Sequence, residues 1–209
     1  MSEFNILVDA LPSAVMVGGR DIPIDTNFRT CIIYELMMQD RDLDKIEKTI
    51  AALNLFYETS IDYVMSDAEV IEEAVEQIIW FYTCGKPPKK PQPGEPPPPP
   101  SIKTRRREHD FDVDAPLIYA AFLAQYRVDL QETEYLHWWQ FHAMFQGLAE
   151  DHQIVKIMGY RTLELSHIKN KEEKRRLSRL QNKYALPFVG DVEDMERTAG
   201  ALFGGMMRR

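Results

Sequence analysis

The chain has 209 residues, with 25 lysines and arginines against 33 aspartates and glutamates, a formal net charge of −8 and 44% hydrophobic residues. That length allows one domain or two small ones, and that apolar fraction is enough for a core. The negative balance argues against a general nucleic-acid binder, which is ordinarily basic.

No window approaches the roughly 18 uninterrupted apolar residues of a membrane span. The first residues, "MSEFNILVDALPSAV", lack the basic start and long apolar run of a signal peptide, so a cytoplasmic protein is expected. Cys31 and Cys84 stand far apart, with neither CxxC nor CxxH spacing. Reduced buried thiols are the expectation, with a disulfide or a reactive thiol as the alternatives.

In chain order, "AVMVGGRDIPID" reads as a β-hairpin. Val15 and Val17 alternate with Ala14 and Met16, Gly18-Gly19 supplies a turn that tolerates positive φ, and Ile22 and Ile24 mark the return strand. Pro23 removes a ladder donor and puts that strand at an edge.

Three helices are predicted next. "DTNFRTCIIYELMMQD" starts at Asp25 or Thr26 as N-cap and carries Phe28, Ile32, Leu36 and Met37 on one stripe. "DLDKIEKTIAALNLFY" places Leu43, Ile46, Ile50, Leu53 and Tyr57 at helical spacing. "SDAEVIEEAVEQIIWFYTCG" has Ser66 and Glu69 as a capping box, Asp67 at the positive helix end and Gly85 as a stop. Ile71, Val75, Ile78 and Tyr82 line one of its faces, with Glu72, Glu73 and Glu76 on or beside the other.

The stretch from Gly85 to Asp110 breaks the pattern, because nine of the thirteen prolines lie between Pro87 and Pro100. Proline fixes φ and lacks the N–H, so neither helix nor sheet is expected there. Extended polyproline II at ~3.1 Å per residue would span about 40 Å. The chain thus divides into 1–84, a linker loop at 85–110, C-terminal helices at 111–187 that pack with the N-terminal half, and a flexible tail at 188–209.

Beyond the linker, Asp114 is the expected cap of a helix with Pro116 in its first turn and Ile118, Phe122 and Tyr126 on one face. "RVDLQ" is a brief break. A further helix begins near Asp151 and carries Ile154, Ile157, Met158 and Leu165. The last uses Asn170 and Glu173 as a capping pair, has a Leu177, Leu180 and Tyr184 stripe, and ends before Pro187.

Between these lies "YLHWWQFHAMF", Tyr135 to Phe145, with five aromatic residues around His137 and His142. Two helical ligands to one ion need a spacing of three or four. A spacing of five sets these rings about 140° apart. Trp138, Phe141, Phe145 and Leu148 step by three, four and three, as a core stripe does, while Ala143 and Gly147 lie where another backbone can approach. Core packing is the expected role, with a protein-binding groove and a cofactor or metal site as alternatives. A buried Trp138 or Trp139 needs a partner for its indole N–H.

His109, His152 and His167 have no Cys or His at ligand spacing. No GxSxG, HExxH, P-loop or GxGxxG occurs. Glu72–Glu73 and Glu172–Glu173 fall on solvent faces, without the perturbed environment a general acid needs. "KTRRRE", from Lys103, is expected to be a solvated linker end. In "KNKEEKRRLSR", Glu172 and Arg176 stand four apart in the favourable order, so a salt-bridged surface is expected. Neither run interleaves aromatics as a single-strand binder does. No catalytic, cofactor-binding or metal-binding residue is assigned, and the partner-binding surface is left open.

"DAPLIYAAFLAQYRVDLQETEYLHWWQFHAMFQGL", "IMGYR" and "NKYALP", with "LPSAVMVGGRDIPIDTNFR" and "WFYTCGK" before the linker, resemble a family of siphophage and prophage proteins. These are encoded in tail modules between the major tail protein and the tape measure protein. The resemblance covers roughly Leu11 to Pro187, apart from the proline segment. It implies a non-enzymatic tail assembly chaperone in the host bacterial cytoplasm. Such a protein would bind and solubilise the tape measure protein and associate with itself. A structural component of the tail is the alternative, and a nucleic-acid-binding regulator a further one. The expected fold is mainly α, a helical bundle-like body with a small N-terminal β-hairpin and a long proline-rich loop.

Overall fold

A computed structural model of the chain describes residues 4–86 and 107–187. Most of the proline-rich segment and the tail from residue 188 lie outside the described residues, and so do the expectations placed on them. The fold is mainly α: among the described residues there are eight α-helices and one two-stranded antiparallel hairpin. The described residues form two compact units. The first comprises 4–86 together with 135–141, the second 107–134 together with 142–187.

In the first unit, β1 (Ala14–Val17) pairs with β2 (Arg20–Pro23), Val15 facing Ile22. Val15, Val17 and Ile22 are buried and Met16 is exposed, as period-two alternation requires. Gly18 and Gly19 both take positive φ, +57° and +72°, as the central pair of a tight hairpin turn does. Ile24 lies beyond the strand end, where its N–H donates to the Ser13 carbonyl at 3.1 Å.

Helix α1 (Phe28–Gln39) is capped by Asn27, whose side chain accepts from the Arg29 N–H. The cap is neither Asp25 nor Thr26, because the backbone at 26–28 is occupied. Phe28 N–H donates to the Leu136 carbonyl at 2.9 Å, and the Thr26 carbonyl accepts from Trp138 N–H at 2.8 Å. The helix starts only where that pairing ends. Its buried face is Phe28, Thr30, Cys31 and Tyr34, so the stripe is rotated from the expected one and Ile32, Leu36 and Met37 are only half-buried.

Helix α2 (Lys45–Phe56) begins at a complete capping box: Asp44 accepts from Glu47 N–H and Glu47 accepts from Asp44 N–H. Its buried face is Thr49, Ala52, Leu53 and Phe56, and the expected core residues Ile46 and Ile50 are exposed. Thr49 is tolerable inside because its hydroxyl donates to the Lys45 carbonyl at 2.9 Å. A 3-10 turn at Glu58–Ser60 and a short helix α3 (Ile61–Val64) follow, neither anticipated by periodicity.

Helix α4 (Ala68–Tyr82) is capped by Asp67, which accepts from Glu69 N–H. Ser66 instead donates to the Tyr63 carbonyl at 2.6 Å, so the expected Ser66–Glu69 box does not form. Ala74, Val75, Ile78 and Phe81 are its buried face. The stop is at Gly85 as expected: φ is +76°, and its N–H reaches back to the Trp80 carbonyl at 2.9 Å.

In the second unit, α5 (Ala115–Tyr126) ends at Arg127 in the left-handed region, φ +58°. Its Ile118, Ala121 and Phe122 are buried. Helix α6 (Trp138–Gln146) gives residues 142–146 to this unit and 138–141 to the first. Helix α7 (Gln153–Thr162) buries Ile154, Ile157 and Arg161. Leu165 lies past α7, in a 3-10 turn at Leu165–His167. Helix α8 (Lys171–Lys183) is capped by Asn170, which accepts from the N–H groups of Glu172 and Glu173. Tyr126 hydroxyl, donating to the Met144 carbonyl at 2.9 Å, stands where the close approach of another backbone at Gly147 was expected.

The hairpin turn separates two glycine effects. A Cβ on Gly18 would lie 2.2 Å from the Tyr63 hydroxyl, whereas one on Gly19 meets nothing within 4 Å. Gly19→Ala is expected to cost about 1 kcal/mol, the backbone penalty of positive φ alone. Gly18→Ala is expected to cost about 1–2 kcal/mol more, in the range of overpacking. Urea unfolding of both variants, with and without Tyr63→Leu, measures the difference. The gap between the two variants should close in the Tyr63→Leu background.

Candidate functional site

Residues 135–141 are held in the first unit by backbone and side chain together. Asn27 and His137 form an isolated antiparallel bridge, and Tyr135 and Thr26 hydroxyls are 2.7 Å apart. His137 is 3% exposed. Its Nδ1 accepts the Trp139 N–H at 3.1 Å, which leaves the proton on Nε2 to donate to the Pro12 carbonyl at 3.0 Å. Burial keeps its pKa below the ordinary histidine value, so the ring is neutral. With both nitrogens engaged, His137 offers no lone pair to a ligand.

The two indoles find the partners that burial requires. Trp138 Nε1 donates to the Tyr82 carbonyl at 2.8 Å and Trp139 Nε1 to the Phe81 carbonyl at 2.7 Å. These are carbonyls of the last turn of α4, beyond the reach of the regular helical ladder, and the Phe81 carbonyl also accepts from Cys84 N–H at 3.0 Å. Around them the rings interlock. Tyr82 stacks on Trp138 at 5.5 Å, Trp138 on Phe141 at 5.6 Å and Phe141 on Phe28 at 5.0 Å. Trp139 meets Trp80 edge-on at 5.4 Å and Phe4 at 4.5 Å. Gly85 lies against this cluster, where a Cβ would sit 3.2 Å from the Trp139 ring.

His142 belongs to the second unit, half-buried, with its Nε2 3.4 Å from the Gln146 amide nitrogen. The remaining histidines are dispersed. His152 Nε2 is 2.9 Å from Gln125 Oε1, and the exposed His167 lies 3.2 Å from Glu164. Among the described residues no group of three or more His, Cys, Asp or Glu side chains stands where it could hold a metal ion. Cys31 is fully buried, Cys84 is partly buried, and both are free thiols. Burial raises both pKa values, that of Cys84 to about 12, so neither forms a ready thiolate.

The second unit contains an arrangement that motif reading missed. Arg161 and Asp114 are 4% and 2% exposed. The guanidinium grips the carboxylate with two hydrogen bonds, Nη1 to Oδ2 at 2.5 Å and Nη2 to Oδ1 at 2.9 Å. Its Nη1 also donates to the Glu108 carbonyl and its Nε to the Tyr184 carbonyl. Asp114 in turn accepts the Asp110 N–H at 3.0 Å. This explains why Asp114 makes no side-chain cap on α5: its oxygens are taken by Arg161 and Asp110. Removing one member of such a buried pair costs about 3–5 kcal/mol, because the other charge is stranded. The three quoted segments "DAPLIY", "IMGYR" and "NKYALP" meet here, through Asp114, Arg161 and Tyr184.

Of the basic runs, Arg107 is folded back, with Nη1 2.7 Å from Asp110 and Nη2 3.1 Å from the Pro187 carbonyl. Burial raises the pKa of Asp110, but the N–H groups of Val113 and Asp112 and the Arg107 guanidinium outweigh it, and the net shift is downward. Residues 103–106 lie outside the described residues. On α8 the basic residues are exposed, and the described ion pairs do not include Glu172 with Arg176. That face is solvated rather than salt-bridged.

His109 makes a pH test possible. Its ring packs against Phe111 at 4.8 Å and Phe145 at 4.9 Å, and its buried Nδ1 has no hydrogen-bond partner among the described residues. Burial lowers its pKa from 6.5 to about 4. The unfolded chain therefore takes up this proton at a higher pH than the folded one. The stability is complete above pH 6.5 and is lost as the pH falls from 6.5 towards 4, by about 3 kcal/mol in all. Denaturant unfolding between pH 7 and pH 4.5 should show this slope in the wild type and a shallower one in His109→Leu. His137, shifted in the same direction, supplies the remainder.

No described helix is long and apolar enough to cross a membrane. Among curated proteins and solved structures, none matches the chain. The family model described as Bacteriophage Gp15 protein matches residues 7–186. That span holds both the aromatic joint of the first unit and the buried arginine of the second, and it makes the chain a phage protein and a member of the bacteriophage Gp15 family.

Proposed function

We propose that this phage protein is a non-enzymatic tail assembly chaperone, acting in the host cytoplasm, that binds the tape measure protein and keeps it soluble while the tail tube polymerises. Membership of the Gp15 family supports the phage setting. The resemblance of segments such as "YLHWWQF" and "IMGYR" to proteins encoded beside the tape measure gene supports the tail. The residues of those segments are engaged in packing. His137, Trp138, Trp139 and Arg161 each hold a backbone carbonyl.

The observation that carries the reading is the apolar surface of the first unit. Helices α1 and α2 pack on each other and leave Ile33, Ile46 and Ile50 exposed at 52%, 54% and 42%. Ile46 and Ile50 are one turn apart on α2, the spacing at which a groove receives the apolar stripe of a partner helix. A long chain with such stripes aggregates when uncovered.

Co-expression with the tape measure protein tests this. The wild type is expected to raise the soluble fraction of the tape measure protein several-fold. Ile46→Lys/Ile50→Lys, whose substitutions fall on exposed positions, should keep its own fold by circular dichroism and lose the rescue. Absence of the protein from purified virions by mass spectrometry is also expected. Its presence there, with no rescue, would establish the alternative, a structural component of the tail.

A further inference from the structure

We propose that copies of this chain associate head to tail, the basic face of α8 in one copy seated on the acidic face of α4 in the next. The contact stands on charge and geometry alone. It would provide the repeat along an extended target that the chaperone reading calls for, yet it needs no tape measure protein to form.

Charge is segregated along the sequence. From Glu58 to Glu76 there are seven acidic residues and no basic one; from Lys169 to Lys183 there are seven basic residues and two acidic ones. The folding of each segment then concentrates that charge on one side. On α4, Glu69, Glu72, Glu73 and Glu76 fall within an arc of about 100°. Glu69 and Glu76 are exposed, while Glu72 and Glu73 are half-buried rather than on the solvent face expected for them, and Glu73 accepts the Gly18 N–H at 2.6 Å. The opposite side is fixed inward by Ala74, Val75, Ile78 and Phe81. On α8, Lys171, Arg175, Arg179 and Arg176 fall within an arc of about 140°, and Glu172 lies inside it as a negative charge that the basic residues outnumber. All four basic residues are exposed.

The orientation of α8 is itself locked. The Gln181 amide is buried and donates to the carbonyls of Tyr160, Arg161 and Leu163, all at 3.0–3.1 Å, so it closes the end of α7. Tyr184 accepts from Arg161 at the end of α8. A helix pinned by its inner face presents its outer charges rigidly, which lowers the ordering cost of docking.

The partner follows from these charges. Two copies of the α8 face repel each other, as do two copies of the α4 face, so a symmetric dimer through either one is disfavoured. An α8 face against an α4 face is attractive, and it leaves one face of each kind unmatched for a further copy. Contacts of this heterologous type extend into rings or open chains. A single exposed ion pair contributes little, but opposed rows of charge set register and speed encounter. Nucleic acid is the competing occupant of α8; a chain of net charge −8 disfavours it.

The test is sedimentation velocity of the full chain across a concentration series. Wild type should form species larger than a dimer in low salt, and its association should weaken about tenfold or more in ~0.5 M NaCl, where the Debye length falls to a few ångström. Arg175→Glu/Arg179→Glu and, separately, Glu69→Lys/Glu76→Lys should each remain monomeric under the same conditions. Mixing the two variants sets the unaltered α8 face of one against the unaltered α4 face of the other and should restore association, as one-to-one pairs. That rescue cannot arise from misfolded protein. A wild type that stays monomeric in low salt, association unchanged by either pair of substitutions, or variants that do not associate on mixing would each overturn the proposal. So would a finding that removing copurifying nucleic acid abolishes the larger species. None of these outcomes bears on whether the tape measure protein is bound.

Discussion

Two indole N–H groups ending the carbonyl ladder of α4 are the constraint on which the first unit depends. The last carbonyls of any helix need outside partners. Here Trp138 and Trp139 reach them from a segment more than fifty residues later in sequence. The same segment pairs with residues 26–28, which sets where α1 begins, and holds Pro12 through His137, next to the hairpin. One short stretch thereby ties the hairpin, α1 and α4 into a single core. An unpaired buried carbonyl costs about 1–3 kcal/mol. The Phe81 carbonyl also accepts from Cys84 N–H at 3.0 Å, whereas among the described residues the Tyr82 carbonyl has besides Trp138 only the weak thiol of Cys84 at 3.9 Å, so the Trp138 bond weighs more than the Trp139 one.

Much of this could be read from the residues, and the parts that could not share a physical cause. The hairpin, the Asn170 start and the Gly85 stop are local devices, so a few adjacent residues specify them; the Asp44–Glu47 box is equally local and was overlooked. The 140° separation expected of His137 and His142 presumed one helix, whereas His137 stands before α6 and bridges to Asn27. The faces of α1 and α2 were misplaced because a hydrophobic stripe reports only that a helix has an inside. Which side wins is settled by neighbours distant in sequence, as when Thr49 is buried and Ile46 is not. The start of α1 moved for the same reason: residues 26–28 pair with a strand-like segment that no local pattern announces.

The buried Arg161–Asp114 pair was the least legible feature. Asp114 looks like a helix cap, and Arg161 looks like a basic residue near a helix C-terminus, both unremarkable alone. Only the fold brings them together with Asp110 and the carbonyls of Glu108 and Tyr184. The segments around Trp138, Trp139 and Arg161 supply interior joints, and the exposed surfaces carry isoleucines on α1 and α2, Glu69 and Glu76 on α4, and arginines on α8. Proteins that act by covering and aligning other chains need their specificity on such surfaces, and the functional reading rests on them.

The most direct test of the indole joint is native-state hydrogen exchange on the Trp138→Phe/Trp139→Phe variant. The rings remain aromatic, but both N–H donors are gone. Amides at residues 79–85, at the end of α4, should exchange at least about tenfold faster than in wild type, while those of α7 keep their protection. Unchanged protection at the end of α4, or equal loss of protection throughout both units, would contradict the role assigned to these two side chains.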